Sequence, residues 1–207
     1  QYDFGRKDSI VTDATVTPLF YPRLRFEHTL QLDKNKYVYQ DYIGDSLYYR
    51  KYYDTSIGRA TDTLLLVERW RTLSNDFSIT QFPDAKNQNQ FIKIGLTIQN
   101  ILGELSTGRK TFFNTMGHAE YRNRSRNQQW DIAASGKLFF TGFNAGDFDA
   151  HFSLQRLLGK KLGYLQLGFE NASRQPSFLF DSRSSFYLMK SAVKKKKENN
   201  THLFATY

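Results

Sequence analysis

The chain is written in short zigzags. In LGYLQLGFENASRQPSF (162–178), Leu165, Leu167 and Phe169 fall on one side and Tyr164, Gln166 and Glu170 on the other, before a polar loop begins. Successive side chains of a β-strand point to opposite faces, so a period of two reads as a strand with one apolar side. The pattern recurs. Residues 22–32 set Leu24, Phe26, Leu30 and Leu32 against Arg23, Arg25, Glu27, Thr29 and Gln31, and residues 91–99 set Ile92, Ile94, Leu96 and Ile98 against Lys93, Gly95, Thr97 and Gln99. In 130–140, Trp130, Ile132, Ala134, Leu138 and Phe140 oppose Asp131, Ser135 and Lys137; in 148–157, Phe148, Ala150, Phe152 and Leu154 oppose Asp149, His151, Ser153 and Gln155. Weaker alternation marks 73–82, 111–123, 184–192 and 200–207.

Turn-forming runs separate these segments: PDAKNQN, GELSTG, NAGD, GKK and KKKKENN. The rhythm predicts an all-β chain of about nine antiparallel strands joined as hairpins, with no amphipathic helix. Residues 33–60, rich in Tyr, Asp and Gly, read as part of one long Tyr-rich loop at about 33–71, with room for a hairpin of its own and, in TDTLLLVERW (61–70), for a helical turn or two. Composition marks no second domain, so 1–207 is expected to belong to one β domain.

Period two does not say whether the apolar sides meet a protein core or lipid. A membrane-spanning helix needs roughly 18 apolar residues in a row, and TLLLV (63–67) is far shorter. A β-barrel crosses with alternating strands of about 9–11 residues. The polar sides carry Gln, Thr, Ser, Asn, Gly and Tyr with scattered charges, which suits a wet lumen and also the outer face of a soluble sheet. Aromatic residues make up 16% of the chain. Trp130, Tyr121, Phe140, Phe143, Phe148, Tyr164 and Phe169 lie near strand ends, as a membrane girdle would place them, although soluble sandwiches also put aromatics in strands.

Hairpin strands run up and down, so successive connections alternate between the two ends of a sheet. Connections 33–71, 102–110, 143–147 and 173–182 share one end and are the longer set; 83–90, 124–129, 159–161 and 193–199 share the other. Long loops at one end and short turns at the other are the habit of outer-membrane barrels. The net charge is +9. Arg124, Arg126, Lys160, Lys161 and the run Lys194 to Lys197 fall at the short end, as solvated turns or as a basic rim for anionic headgroups. No aromatic platform accompanies the lysine run, so nucleic acid is not expected as a partner.

Little points to chemistry. His28, His118, His151 and His202 stand on different segments with no His-x-x-x-His spacing, and no cysteine is present, so no metal site is expected and disulfides are excluded. There is no nucleophile elbow and no phosphate-cradling glycine loop. Ser153 beside His151 lacks a third partner. Glu120 and Asp131 read as cross-strand partners of Arg122 or Lys137. Asn123, Asn171 and Asn199 head Asn-x-Ser/Thr triplets that read as turn chemistry. No enzyme activity, catalytic residue or cofactor is expected.

In DFDAHFSLQRLLGKKLGYLQLGFENASRQPSFLF (147–180) and KKENNTHLFATY (196–207), the chain resembles the β-barrel porins of Bacteroidota outer membranes, through the "LQ" strand with its tight basic turn, the exit into "PSF" and the strand after an Asn-rich turn. PDAKNQNQFIKIGL (83–96) extends the resemblance more loosely. The resemblance implies an antiparallel, up-and-down transmembrane β-barrel in the bacterial outer membrane, with a cleaved signal sequence and longer members, so these residues are expected to be an excerpt of a larger barrel. On that reading the lumen is lined by Arg23, Arg25, Glu27, Lys93, Glu120, Lys137, His151, Gln166 and Glu170, and small polar solutes pass by size and charge. Partners would be outer-membrane lipid and other envelope proteins. Two alternatives stay open: a plugged or narrow barrel anchoring an envelope complex, and a soluble carbohydrate-binding β-sandwich.

Overall fold

The computed structural model describes residues 1–11, 15–42, 46–53, 63–159, 161–187 and 196–207. They form a nine-stranded antiparallel meander in which each strand pairs with its neighbours in sequence. The strands are β1 (Tyr2–Val11), β2 (Val16–Asp41), β3 (Leu64–Gln81), β4 (Gln90–Leu105), β5 (Gly108–Arg124), β6 (Trp130–Gly142), β7 (Phe148–Gly159), β8 (Gly163–Arg174) and β9 (Glu198–Thr206). Among the described residues β1 pairs with β2 alone and β9 with β8 alone, so the sheet has two edges. A helix, α1 (Ser46–Tyr52), lies between β2 and β3, and a 3-10 turn (Phe178–Phe180) lies between β8 and β9. No described helix is long and apolar enough to cross a membrane.

Where local alternation is strong, strands form as expected; their ends are set by pairing. β2 runs on to Asp41 and β3 begins at Leu64, so the loop expected at 33–71 is strand at both ends. The ladder pairs Asp33 with Thr72 and continues to Asp41 with Leu64. Backbone groups satisfied by a partner some thirty residues away leave no local signature. LLLVERW is therefore strand and not helical turns. GELSTG shrinks likewise to a two-residue turn, because Gly108 takes a φ of 109° and lets Leu105 pair with Gly108.

Two strand assignments change. β1 and the first part of β2 form a hairpin in a stretch without clear alternation. The strand expected at 184–192 is not found over 184–187, which are turns, and the rest lies outside the described residues. β9 pairs directly with β8, making 175–197 a single connection. One end of the sheet therefore carries 42–63, 106–107, 143–147 and 175–197. The other carries 12–15, 82–89, 125–129 and 160–162.

This moves part of the expected basic rim. Lys196 and Lys197 belong to the long-connection end, where the Lys197 Nζ lies 3.0 Å from an Asp147 carboxyl oxygen. Lys160, Lys194 and Lys195 lie outside the described residues. At the short-turn end, Arg126 pairs with Asp84 and Arg122 with Asp131 at 2.9 Å. The Arg126 guanidinium and then the Lys86 backbone N–H hold the Asp84 carboxyl below the ordinary aspartate range. Arg126 thus braces two neighbouring turns, and Arg122 ties β5 to β6.

Candidate functional site

The register sorts side chains onto two faces. One row carries Phe26, Ile79, Ile94, Ala119, Gly136 and Ala150; the next carries His28, Phe77, Leu96, Gly117, Leu138 and Phe148. Among the described residues nothing covers this apolar face: Ile94 is 63% exposed, Leu138 43% and Leu167 48%. A groove of about 1240 Å³ on it runs over Gly117, Ala119 and Gly136 between larger apolar side chains. The burial is inverted relative to a water-soluble sheet. Buried hydrophobic residues among those described are Tyr49, Phe82 and Leu105, whereas Glu68, Ser74, Ser78, Thr80, Thr97 and Asn114 are buried on the opposite face.

That polar face carries separate hydrogen-bonded clusters, and the buried Ser78 hydroxyl has no hydrogen-bond partner among the described residues. Arg25 clamps Asp3 through two hydrogen bonds of 2.8 and 3.1 Å, and Lys93 reaches Glu27 at 2.9 Å. The Asp76 carboxyl accepts from the Thr97 hydroxyl at 2.6 Å and faces His118 Nε2 at 2.6 Å, beside a hollow of about 360 Å³. Arg25, Glu27, Lys93, Glu120, Lys137, His151, Gln166 and Glu170 share this face by register. They spread across it and do not converge on one point. Arg23 stands at the bulge between β1 and β2, where Phe4 pairs with Leu24 and Gly5 with Pro22, so it has no partner across β1. His151 lies 3.7 Å from Glu170, and among the described residues no hydrogen bond joins it to Ser153.

At the long-connection end, connections fold over the polar face. Tyr49 of α1 donates to Asp41 at 2.8 Å and shares a 3.1 Å bond with Tyr39; burial and these partners push its phenol pKa upward. Glu68, 0% exposed, accepts from the Ser184 hydroxyl at 2.8 Å, the Ser185 N–H at 2.6 Å and the Trp70 indole at 3.2 Å. Arg183 forks onto Asp181 and lies over the rings of Phe112, Phe143 and Phe178. Asn114 ties the 143–147 connection to the sheet, accepting from the Asn144 N–H at 2.9 Å. Phe143 is thus part of this arginine–aromatic cluster and not of an aromatic girdle, and Tyr164 pairs with Leu157 on the polar face. Trp130, Tyr121, Phe140, Phe148 and Phe169 remain on the apolar face.

The cluster around Glu68 and Arg183 is absent from the expected site because half of its members, Ser184, Ser185, Arg183, Phe143 and Phe178, come from connections. One signal did exist: Glu68 is a lone acid inside the apolar run LLLVERW, a position that requires buried donors. Gly103 is its packing counterpart, since a Cβ there would come within 2.7 Å of the Trp70 ring. Trp70 cannot easily yield, being bonded to Glu68 and edge-on to Phe178 at 4.6 Å. Gly103→Ala is expected to cost about 1–2 kcal/mol through overpacking and to shift the Trp70 fluorescence, which denaturant titration and emission spectra would read.

No curated protein and no solved structure matches the chain. A family model described as "Putative porin" matches residues 1–207. Porins are outer-membrane barrels and are typically not enzymes, and an exposed apolar face backed by a polar one accords with a barrel wall. The chain therefore belongs to this porin family.

Proposed function

We propose that this chain forms wall and mouth of an outer-membrane pore that passes small polar solutes passively. The observation that carries the reading is the inverted burial: aliphatic side chains such as Ile94, Leu138 and Leu167 lie bare on one face while carboxylates, amides and hydroxyls interlock on the other. Exposed to water, so broad an apolar surface would drive aggregation; against hydrocarbon it is satisfied. The polar face then encloses solvent, and Arg23, Arg25, Glu27, Lys93, Glu120, Lys137, His151, Gln166 and Glu170 line it. Both signs of charge are present along the wall, often paired, which favours weak ion selectivity and filtering by size. Purified, folded protein is expected to give discrete conductance steps in planar bilayers with little preference between small cations and anions. Protein that inserts but never conducts would overturn the pore.

A second reading draws on the mouth. α1 and residues 175–187 fold over the polar face, as they would in a narrow barrel that anchors an envelope complex. Stoichiometric partners on purification, with no conductance, would favour that reading.

A further inference from the structure

Near the long-connection end a band of cations crosses the apolar face on β2, β3 and β5, and beyond it Val38 pairs with Val67 on the same face. Along the register, the row Leu32–Leu73–Asn100–Phe113 is followed on the same face by Lys34–Arg71–Leu102–Thr111 and then by Lys36–Arg69–Glu104–Arg109. Lys34, Lys36, Arg69, Arg71 and Arg109 are all exposed. Glu104 is the acid on these two rows. Arg71 and Arg109 both approach its Oε1 at 3.6 Å, so one carboxylate is shared between two arginines and the cluster keeps an excess of positive charge.

The position of the band matters as much as its charge. On β4 the apolar side runs from Ile92 to Leu102 before Glu104, with Asn100 its one polar residue. Ten residues of strand span about 33 Å. At the strand tilt of about 40° usual in such barrels this gives about 25 Å, the height of an outer-membrane apolar belt. The cations therefore begin where the hydrocarbon stops. Strands about 4.8 Å apart and same-face residues about 6.7 Å apart make a lattice on the scale of a phosphate group.

We propose that Lys34, Lys36, Arg69, Arg71 and Arg109 form a docking site for a phosphate-bearing lipid headgroup of the leaflet at the long-connection end. The site rests on the apolar face being the hydrocarbon-facing one. A lipid is the occupant that fits, because the patch is open and flat, with no enclosure to hold a free anion, while the rows of Leu32, Leu73 and Phe113 beneath it offer acyl chains a surface. Arginine and lysine on one patch can bind phosphate oxygens from several sides.

The test uses the full chain in detergent, mixed with diphosphoryl lipid A or its dephosphorylated form, the lipid retained after gel filtration being measured by mass spectrometry. The wild type is expected to retain the phosphorylated lipid and release the other. Each cation near an anionic surface contributes about 1 kcal/mol, roughly fivefold in affinity. Arg69→Gln, Arg71→Gln and Arg109→Gln together are thus expected to weaken retention at least tenfold; all three side chains are exposed, and circular dichroism checks that the sheet is intact. Equal retention by wild type and triple variant, or equal binding of the dephosphorylated lipid, overturns the site. Inorganic phosphate that binds as tightly as the lipid overturns the lipid assignment. Failure of the membrane reading is seen separately: a chain that stays folded and monodisperse in buffer without detergent removes both that reading and this site, whereas a detergent-requiring chain indifferent to phosphate removes only the site.

Discussion

Leu96→Arg is expected to cost about 2–4 kcal/mol when the chain unfolds from a phospholipid bilayer, while Ile92→Arg on the same strand costs about 0–1. Leu96 lies midway along the apolar interval of β4, and Ile92 lies at its edge. In bulk water the two would behave alike. Leu96 is 42% exposed and Ile92 39%, and surface substitutions of this kind usually change stability by no more than about 0.5 kcal/mol. The penalty comes from burying a guanidinium in hydrocarbon, and it falls as the side chain reaches the interface. Ser135→Arg supplies the control on the other face. Ser135 is exposed among polar neighbours, so a change within about 0.5 kcal/mol is expected there. Denaturant titration in vesicles measures all three. A flat profile across Leu96, Ile92 and Ser135 would mean that the apolar face meets no hydrocarbon.

Which residues share a face was legible in the sequence, because alternation is a property of neighbouring residues. Arg25 and Glu27 stand with Lys93 and Glu120 by parity alone, once the strands pair in register. Parity fails where a bulge inserts a residue. Between Thr115 and Met116 the register slips, so that Thr115 faces Thr141 while Met116 faces Phe139, and Phe140 turns over Gly117. Arg23 sits at another such slip. The extension of β2 and β3 was hidden for a different reason. Lys34, Asn35 and Lys36 carry no strand signal, and they are extended because Arg71, Trp70 and Arg69 satisfy their backbone across the ladder. The same pairing assembles the cationic band from β2, β3 and β5, none of which shows it alone. Connections were least legible, since the 175–187 segment takes its shape from Glu68 and Ser106, far away in the chain.

That dependence makes Glu68→Ala the substitution with the largest expected effect on passage. Removing the carboxyl leaves the Ser184 hydroxyl, the Ser185 N–H and the Trp70 indole without their acceptor in a fully buried place. Leaving such donors unsatisfied costs about 1–3 kcal/mol each, more than an irregular connection of this length can absorb. The strands keep their ladders, so the change is local: residues 175–187 detach from the wall while the sheet persists. Amide exchange at Ser106 and Ser185, slow in the wild type because Ser106 N–H donates to the Ser185 hydroxyl and Ser185 N–H to Glu68, is expected to become fast. Single-channel conductance is expected to rise, because the segment covers the polar face at the mouth together with Arg183 and its three rings. Glu68→Gln separates acceptor from charge. Its carbonyl oxygen can still receive Ser184 and Ser185, but its amide presents donors to the Trp70 N–H, so an intermediate conductance is expected. Fast exchange without any change in conductance would mean that solutes pass elsewhere than beneath this segment. Slow exchange in Glu68→Ala would mean that the aromatic cluster, and not the carboxyl, holds the mouth.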